Sequence, residues 1–137
     1  MIIGIGIDLV EVRRIKQLIN RKNIARIFTA REIKYCQGKK NPAESFAARF
    51  AAKEAFFKAI GTGGGTVQSP QWNEIEVVAG QRAKSKSPRY TLYALRSTLR
   101  LSGAAQTLCR KLKVTRTHLS LTHTKDYAMA VVVLEGR

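Results

Sequence analysis

The chain has 137 residues, 45% of them hydrophobic, and sets 25 Lys and Arg against nine Asp and Glu for a formal net charge of +16. That is the length of one ordinary domain, with enough apolar material to bury a real core. Two scattered cysteines, the lack of any membrane-length apolar run and an opening MIIGIGIDLVEV without a basic start argue against a zinc site, a spanning helix and a signal peptide. The expectation is one domain over residues 1–137, cytoplasmic, with Cys36 and Cys109 as reduced, buried thiols. The charge asks for an anionic partner: nucleic acid, an acidic membrane surface, an acidic protein or a phosphate-rich small molecule.

In chain order, residues 2 to 7 alternate as a strand, with Ile3, Ile5 and Ile7 on one face and Gly4, Gly6 and Asp8 on the other. Asp8 followed three residues later by Glu11 reads as a helix start. The helix that follows turns Val12, Ile15, Leu18 and Ile19 to the core. Arg14 and Arg21, seven apart, project from one flank as a basic strip. Thr29 is placed to cap a short helix through Tyr35. A third helix opens at Asn41 and Pro42, with Glu44 completing a capping box, and ends at Gly61. WNEIEVVAG and RYTLYAL read as antiparallel neighbours, Leu95 to Leu112 as mostly helical with a break near Ser102 and Gly103, and THLSLTHTKDYAMAVVVLE as two strands joined at Thr124 to Asp126. Strands and helices mix without regular βαβ alternation, so the predicted class is α+β.

The third helix carries the chemistry. In RFAAKEAFFKAIGTGGG the apolar residues Phe46, Phe50 and Phe57 are flanked by Lys53, Glu54 and Lys58. At about 100° per residue, Glu54 and Lys58 lie roughly 40° and 80° from Phe50, on one side of the stripe. Taken alone, Glu54 and Lys58 are an ordinary i,i+4 pair. Asp8 changes the balance, because two carboxylates at the edge of a core are costly unless a cation sits between them. Mg²⁺ suits such a site, since it takes oxygen ligands from one or two carboxylates, waters and substrate phosphates. His123 continues the face of Leu119 and Leu121; it is either a satisfied core residue or, beside Thr122 and Thr124, a phosphate contact. His118 reads as surface. GIGIDL lacks the third glycine of a dinucleotide fingerprint, and GTGGG lacks the Lys-Ser/Thr of a P-loop.

The segments GIGIDLVEVRRI, FTAREIKYC, FAARFAAKEAFFKAIGTG and LSLTHTKDYAMAVVVLE together resemble holo-acyl-carrier-protein synthase, in order and over most of the chain. The resemblance implies a compact α+β homotrimer with active sites between subunits. It implies Mg²⁺-dependent transfer of 4′-phosphopantetheine from coenzyme A to a serine of apo acyl carrier protein, with release of adenosine 3′,5′-bisphosphate. Asp8 and Glu54 would then be the metal ligands and Glu54 and Lys58 the catalytic pair, with Lys58 at the pyrophosphate. Arg49, Lys53, Lys58, His123 and Thr124 would line the coenzyme A site, and Arg14 and Arg21 would dock the acidic carrier protein. The base for the serine stays open between Glu54 and a metal-bound water. The family pattern is departed from between Tyr90 and Ser120, where the chain is longer, and in the loop GQRAKSKSPRY.

Both substrates are anionic, which accounts for +16 without nucleic acid or membrane. Two other classes stay in view. A basic nucleic-acid-binding domain would rest on charge alone, since the few aromatics read as core rather than a stacking platform. A Mg²⁺-dependent phosphohydrolase would use the same acids and release free phosphopantetheine.

Overall fold

The helix α4 (Pro42–Ala59) is the element around which the rest is arranged. A helix apolar on nearly every side must be surrounded, and α4 is: Phe46, Phe50, Phe56, Phe57 and six alanines along it are buried. A computed structural model describes residues 1–20, 23–62, 70–80 and 96–137. On one side of α4 lies a three-stranded antiparallel sheet in the order β1 (Ile2–Glu11), β5 (Tyr127–Gly136), β4 (Val114–His123). On the other side are α3 (Ala30–Gln37), a 3₁₀ turn at Trp72–Glu74 and a two-stranded antiparallel sheet of β2 (Ile75–Val78) and β3 (Thr98–Leu101). The helices α1 (Val12–Ile19), α2 (Ile24–Ile27) and α5 (Gly103–Lys111) complete the described elements. The α+β class predicted from sequence is the observed one. Among the described residues no helix is long and apolar enough to cross a membrane.

The small residues of β1 set the spacing between sheet and helix. A Cβ on Gly4 would overlap the carbonyl oxygen of Ala59, and one on Gly6 that of Ala55. Only glycine lets the strand backbone lie directly against the helix backbone. Because side chains alternate along a strand, Asp8 shares that inward face, one step further along α4. The inward residues of β5, namely Ala128, Ala130, Val132 and Leu134, are buried against the same helix. The outward face is different. Ile5, Ile7 and Leu9 are 60%, 54% and 63% exposed, beside exposed Tyr127 and Met129 on β5.

Several expectations from sequence hold. Thr29 caps α3 through its hydroxyl, with Glu32 returning the bond to the Thr29 amide at 3.1 Å. Gly61, at φ +72°, follows the end of α4. Val12 and Ile15 of α1 are buried, and β4 and β5 are joined through residues 124–126. Cys36 and Cys109 are free and buried, and burial pushes the Cys36 thiol up to about 11.

Others are corrected. Asp8 does not cap a helix: β1 continues to Glu11, which pairs with Tyr127 and itself precedes α1. Continuous pairing with β5 outweighs the local capping signal there. Asn41 and Glu44 form no capping bond at the start of α4, because the Glu44 carboxylate is engaged by His123 instead. Thr98–Leu101 is a strand inside the stretch read as helical, and it pairs with β2. RYTLYAL and the loop before it lie outside the described residues, as does Arg21 of the basic strip.

Candidate active site

Asp8, Glu54 and Lys58 come together where β1 crosses α4. The Lys58 ammonium donates to Asp8 Oδ1 at 2.8 Å and to the Ile7 carbonyl at 3.1 Å, so it spans the strand from helix to carboxylate. The Asp8 side chain is only 14% exposed, whereas that of Lys58 is 54% exposed. Lys58 therefore pairs with Asp8 rather than making the intrahelical bond to Glu54. Burial, and then the neighbouring Asp8 carboxylate, hold the Glu54 pKa above the ordinary carboxylate value; Lys58 and Arg14 pull the other way. Two carboxylates thus share one shallow site with a lysine at its rim and the α1 arginine nearby.

This donor set fits a hard divalent cation. It offers oxygens only, from two carboxylates close enough to perturb one another, and leaves the remaining positions of an octahedral shell to waters and phosphate oxygens. Among the described residues no group of three or more His, Cys, Asp or Glu is gathered.

The other residues singled out in the sequence are elsewhere. His123 ends β4, and its Nδ1 is 3.2 Å from Glu44 Oε2. The Thr124 hydroxyl is occupied in the turn, accepting from the Asp126 and Tyr127 amides at 3.3 and 3.1 Å. Asp8 pairs with Ala130 and His123 with Ala128, on opposite sides of β5. Two strand spacings and two residues of offset separate their backbones by about 12 Å. Arg14 is exposed on α1.

Lys53 is the clearest departure from expectation. It is fully buried, and its ammonium donates to Glu32 Oε1 at 2.7 Å and to the carbonyls of Trp72 and Ile75. All three protons are committed, so Lys53 ties α3, α4 and β2 together and presents nothing to a ligand in this arrangement. Burial lowers its pKa and the Glu32 carboxylate opposes that shift. Arg49 is also buried, with its guanidinium 4.1 Å from the centre of the Tyr35 ring and one bond to the Ser45 carbonyl at 3.3 Å. Glu32, Glu44 and Tyr35 were not singled out as site residues. The Thr-x-x-Glu capping pattern at Thr29 was the available signal for Glu32, but it gives no hint that the same carboxylate also reaches Lys53.

Comparison with known proteins decides the family. Residues 4–132 match the model of the 4′-phosphopantetheinyl transferase superfamily. The chain belongs to that family. It is 46% identical over 140 residues to a holo-[acyl-carrier-protein] synthase of Koribacter versatilis, covering 98% of this chain and 99% of that one. A holo-(acyl-carrier-protein) synthase from Bacillus anthracis, solved in complex with CoA (3′,5′-ADP), superposes with a TM-score of 0.74 at 36% identity, covering 100% of this chain and 99% of that one. The enzyme of Helicobacter pylori, solved in complex with coenzyme A, gives 0.70 at 28% identity, covering 96% and 99%.

Proposed function

We propose that this chain is a cytoplasmic holo-acyl-carrier-protein synthase that acts as one domain. It transfers 4′-phosphopantetheine from coenzyme A to a serine of apo acyl carrier protein and releases adenosine 3′,5′-bisphosphate. The observation that carries this reading is the convergence of Asp8, Glu54 and Lys58 in a member of the transferase family. Asp8 and Glu54 are the residues that would hold Mg²⁺, which when bound supplies positive charge to the pyrophosphate. Lys58, already at the rim, has the reach and exposure to place its ammonium against the phosphate that leaves. The serine oxygen forms a bond to the phosphorus bearing pantetheine, and the bond from that phosphorus to the bridging oxygen breaks. The electron pair leaves with adenosine 3′,5′-bisphosphate. The serine proton passes to the Glu54 carboxylate or to a water beside it.

The outward face of the sheet supports a homotrimer with shared sites. Ile5, Ile7, Leu9, Tyr127 and Met129 form an exposed apolar stripe on β1 and β5, which a soluble monomer rarely leaves uncovered. Asp8 and His123 stand on opposite strands of one sheet, so a neighbouring copy would bring its His123 and Thr124 to the carboxylates. Arg14, exposed on α1 close to Glu54, suits an acidic carrier protein. Lys53 is withdrawn from the coenzyme A contacts.

Chromatography of the nucleotide products tests the reading. Adenosine 3′,5′-bisphosphate should form only when chain, coenzyme A, apo carrier protein and Mg²⁺ are all present, and a chelator should stop it. Release of free phosphopantetheine without carrier protein would make the chain a phosphohydrolase instead.

A further inference from the structure

The Asp8 carboxylate already holds a cation, and that cation belongs to the chain itself. The Lys58 ammonium sits 2.8 Å from Asp8 Oδ1 and 3.1 Å from the Ile7 carbonyl oxygen. Two oxygens from consecutive residues of β1 thus grip it as they would a small positive ion. Glu54, one turn earlier on α4, is close enough to Asp8 for the two carboxylates to perturb each other. The ammonium therefore stands where paired acids most need positive charge. The two partners of the bond differ in freedom. Asp8 is largely buried and fixed in the β1–β5 ladder, whereas Lys58 is exposed on a flexible four-carbon stem in the last turn of α4.

This geometry sets the lysine against a divalent ion. A hard divalent ion takes a carboxylate oxygen at about 2.1 Å, so with the ammonium on the same carboxylate the two cations would stand about 4 Å apart. Asp8 is too buried for water to screen that repulsion well. The fixed partner keeps its place and the flexible one leaves. Arg14 offers a contrast: it acts on Glu54 from α1 through its charge, without a bond to Asp8.

We infer that Lys58 is a resident counter-ion of Asp8 which Mg²⁺ must displace, so that metal binding is what frees the lysine for the pyrophosphate. The displacement rests on Asp8 and Glu54 as the metal ligands, and the use made of the freed ammonium rests on the proposed transferase reading. The metal-free chain keeps its lysine on the strand, and the phosphate contact becomes available only after the metal has entered.

Calorimetric titration with Mg²⁺ alone, without coenzyme A or carrier protein, tests this on the metal-free parent, Lys58→Met and Arg14→Gln. An ion pair that occupies its carboxylate most of the time lowers the apparent metal affinity, so Lys58→Met should bind Mg²⁺ about fivefold more tightly than the parent. Arg14→Gln removes a charge of the same sign without touching Asp8 and should change the affinity by about twofold at most. Side-chain ammonium NMR on the parent gives a second readout that does not depend on any variant folding. The Lys58 signal, protected from exchange by its two bonds in the metal-free chain, should shift and lose that protection at saturating Mg²⁺. Equal or weaker Mg²⁺ binding by Lys58→Met, or a gain from Arg14→Gln as large as that from Lys58→Met, would overturn the displacement. So would a Lys58 signal that saturating Mg²⁺ leaves unchanged. A parent that binds no Mg²⁺ would overturn the displacement and the metal assignment together. Transfer to apo carrier protein, measured on the same preparation, reports separately on the transferase reading: transfer without displacement sinks this inference alone, and displacement without transfer sinks that reading alone.

Discussion

Lys53→Met separates a buried strut from a ligand contact at the residue where sequence and structure disagree most. The substitution keeps the length of the side chain but removes the ammonium that neutralises Glu32 and satisfies the carbonyls of Trp72 and Ile75. Glu32 keeps its bonds from the Thr29 amide at 3.1 Å and the Val77 amide at 3.4 Å, yet its charge stays buried and unpaired. Removing one partner of such a pair costs about 3–5 kcal/mol. At roughly 3–5 °C per kcal/mol for a domain of this size, the melting temperature should fall by about 10–20 °C. Lys53→Met/Glu32→Gln, which removes both charges, should recover a large part of the loss, because an apolar or neutral pair carries no desolvation cost. Thermal unfolding by circular dichroism reads the stability. Steady-state kinetics well below the transition should give a KM for coenzyme A close to that of the parent. A melting temperature within about 2 °C of the parent, together with a severalfold higher coenzyme A KM, would refute the strut and restore Lys53 to the substrate site.

Asp8→Ala and Glu54→Ala should each lower turnover by about a thousandfold or more, as loss of several kcal/mol of charge stabilisation requires, while circular dichroism shows the fold intact. Glu54 gives a pH dependence: its pKa is raised in the fold, so it holds its proton at pH values where the unfolded chain has lost it. Stability of the metal-free chain should therefore fall as pH rises from the ordinary carboxylate range through the Glu54 pKa, and Mg²⁺ affinity should rise over the same window; calorimetry across pH showing no such trend would contradict the shift. Ile7→Asp on the outward face should turn a trimer into smaller species by light scattering, with loss of activity, whereas a fully active monomeric parent would end the shared-site reading. Arg14→Glu with Arg21→Glu should raise the apparent KM for apo carrier protein severalfold and leave that for coenzyme A nearly unchanged; equal damage to both constants would remove α1 as the docking face.

Local rules written into short stretches were legible before any coordinates. The Thr29 cap, the Gly61 terminus and the buried faces of α1 and α4 each depend on residues within a few positions of one another. The pairing of Asp8 with α4 was legible in part, because two acids in apolar settings stand out in a chain so poor in acid. What failed was decided by distant partners. β1 runs on to Glu11 because β5 supplies its ladder, and Leu99 and Leu101 lie in a strand because β2 does the same. Glu44 left its helix start for His123, some eighty residues away in sequence. Lys53 and Glu54 are adjacent in sequence and about 100° apart around α4, so one enters the core while the other lies beside Asp8. No local pattern states which of those flanks the β2 segment covers.

The most direct measurement is the intact mass of apo acyl carrier protein after incubation with this chain, coenzyme A and Mg²⁺, with an Asp8→Ala sample alongside. Transferase activity through the Asp8, Glu54 and Lys58 site predicts a gain of one phosphopantetheine on a single carrier serine with the parent chain and none with Asp8→Ala. An unmodified carrier with the parent chain, or equal modification by both, would contradict it.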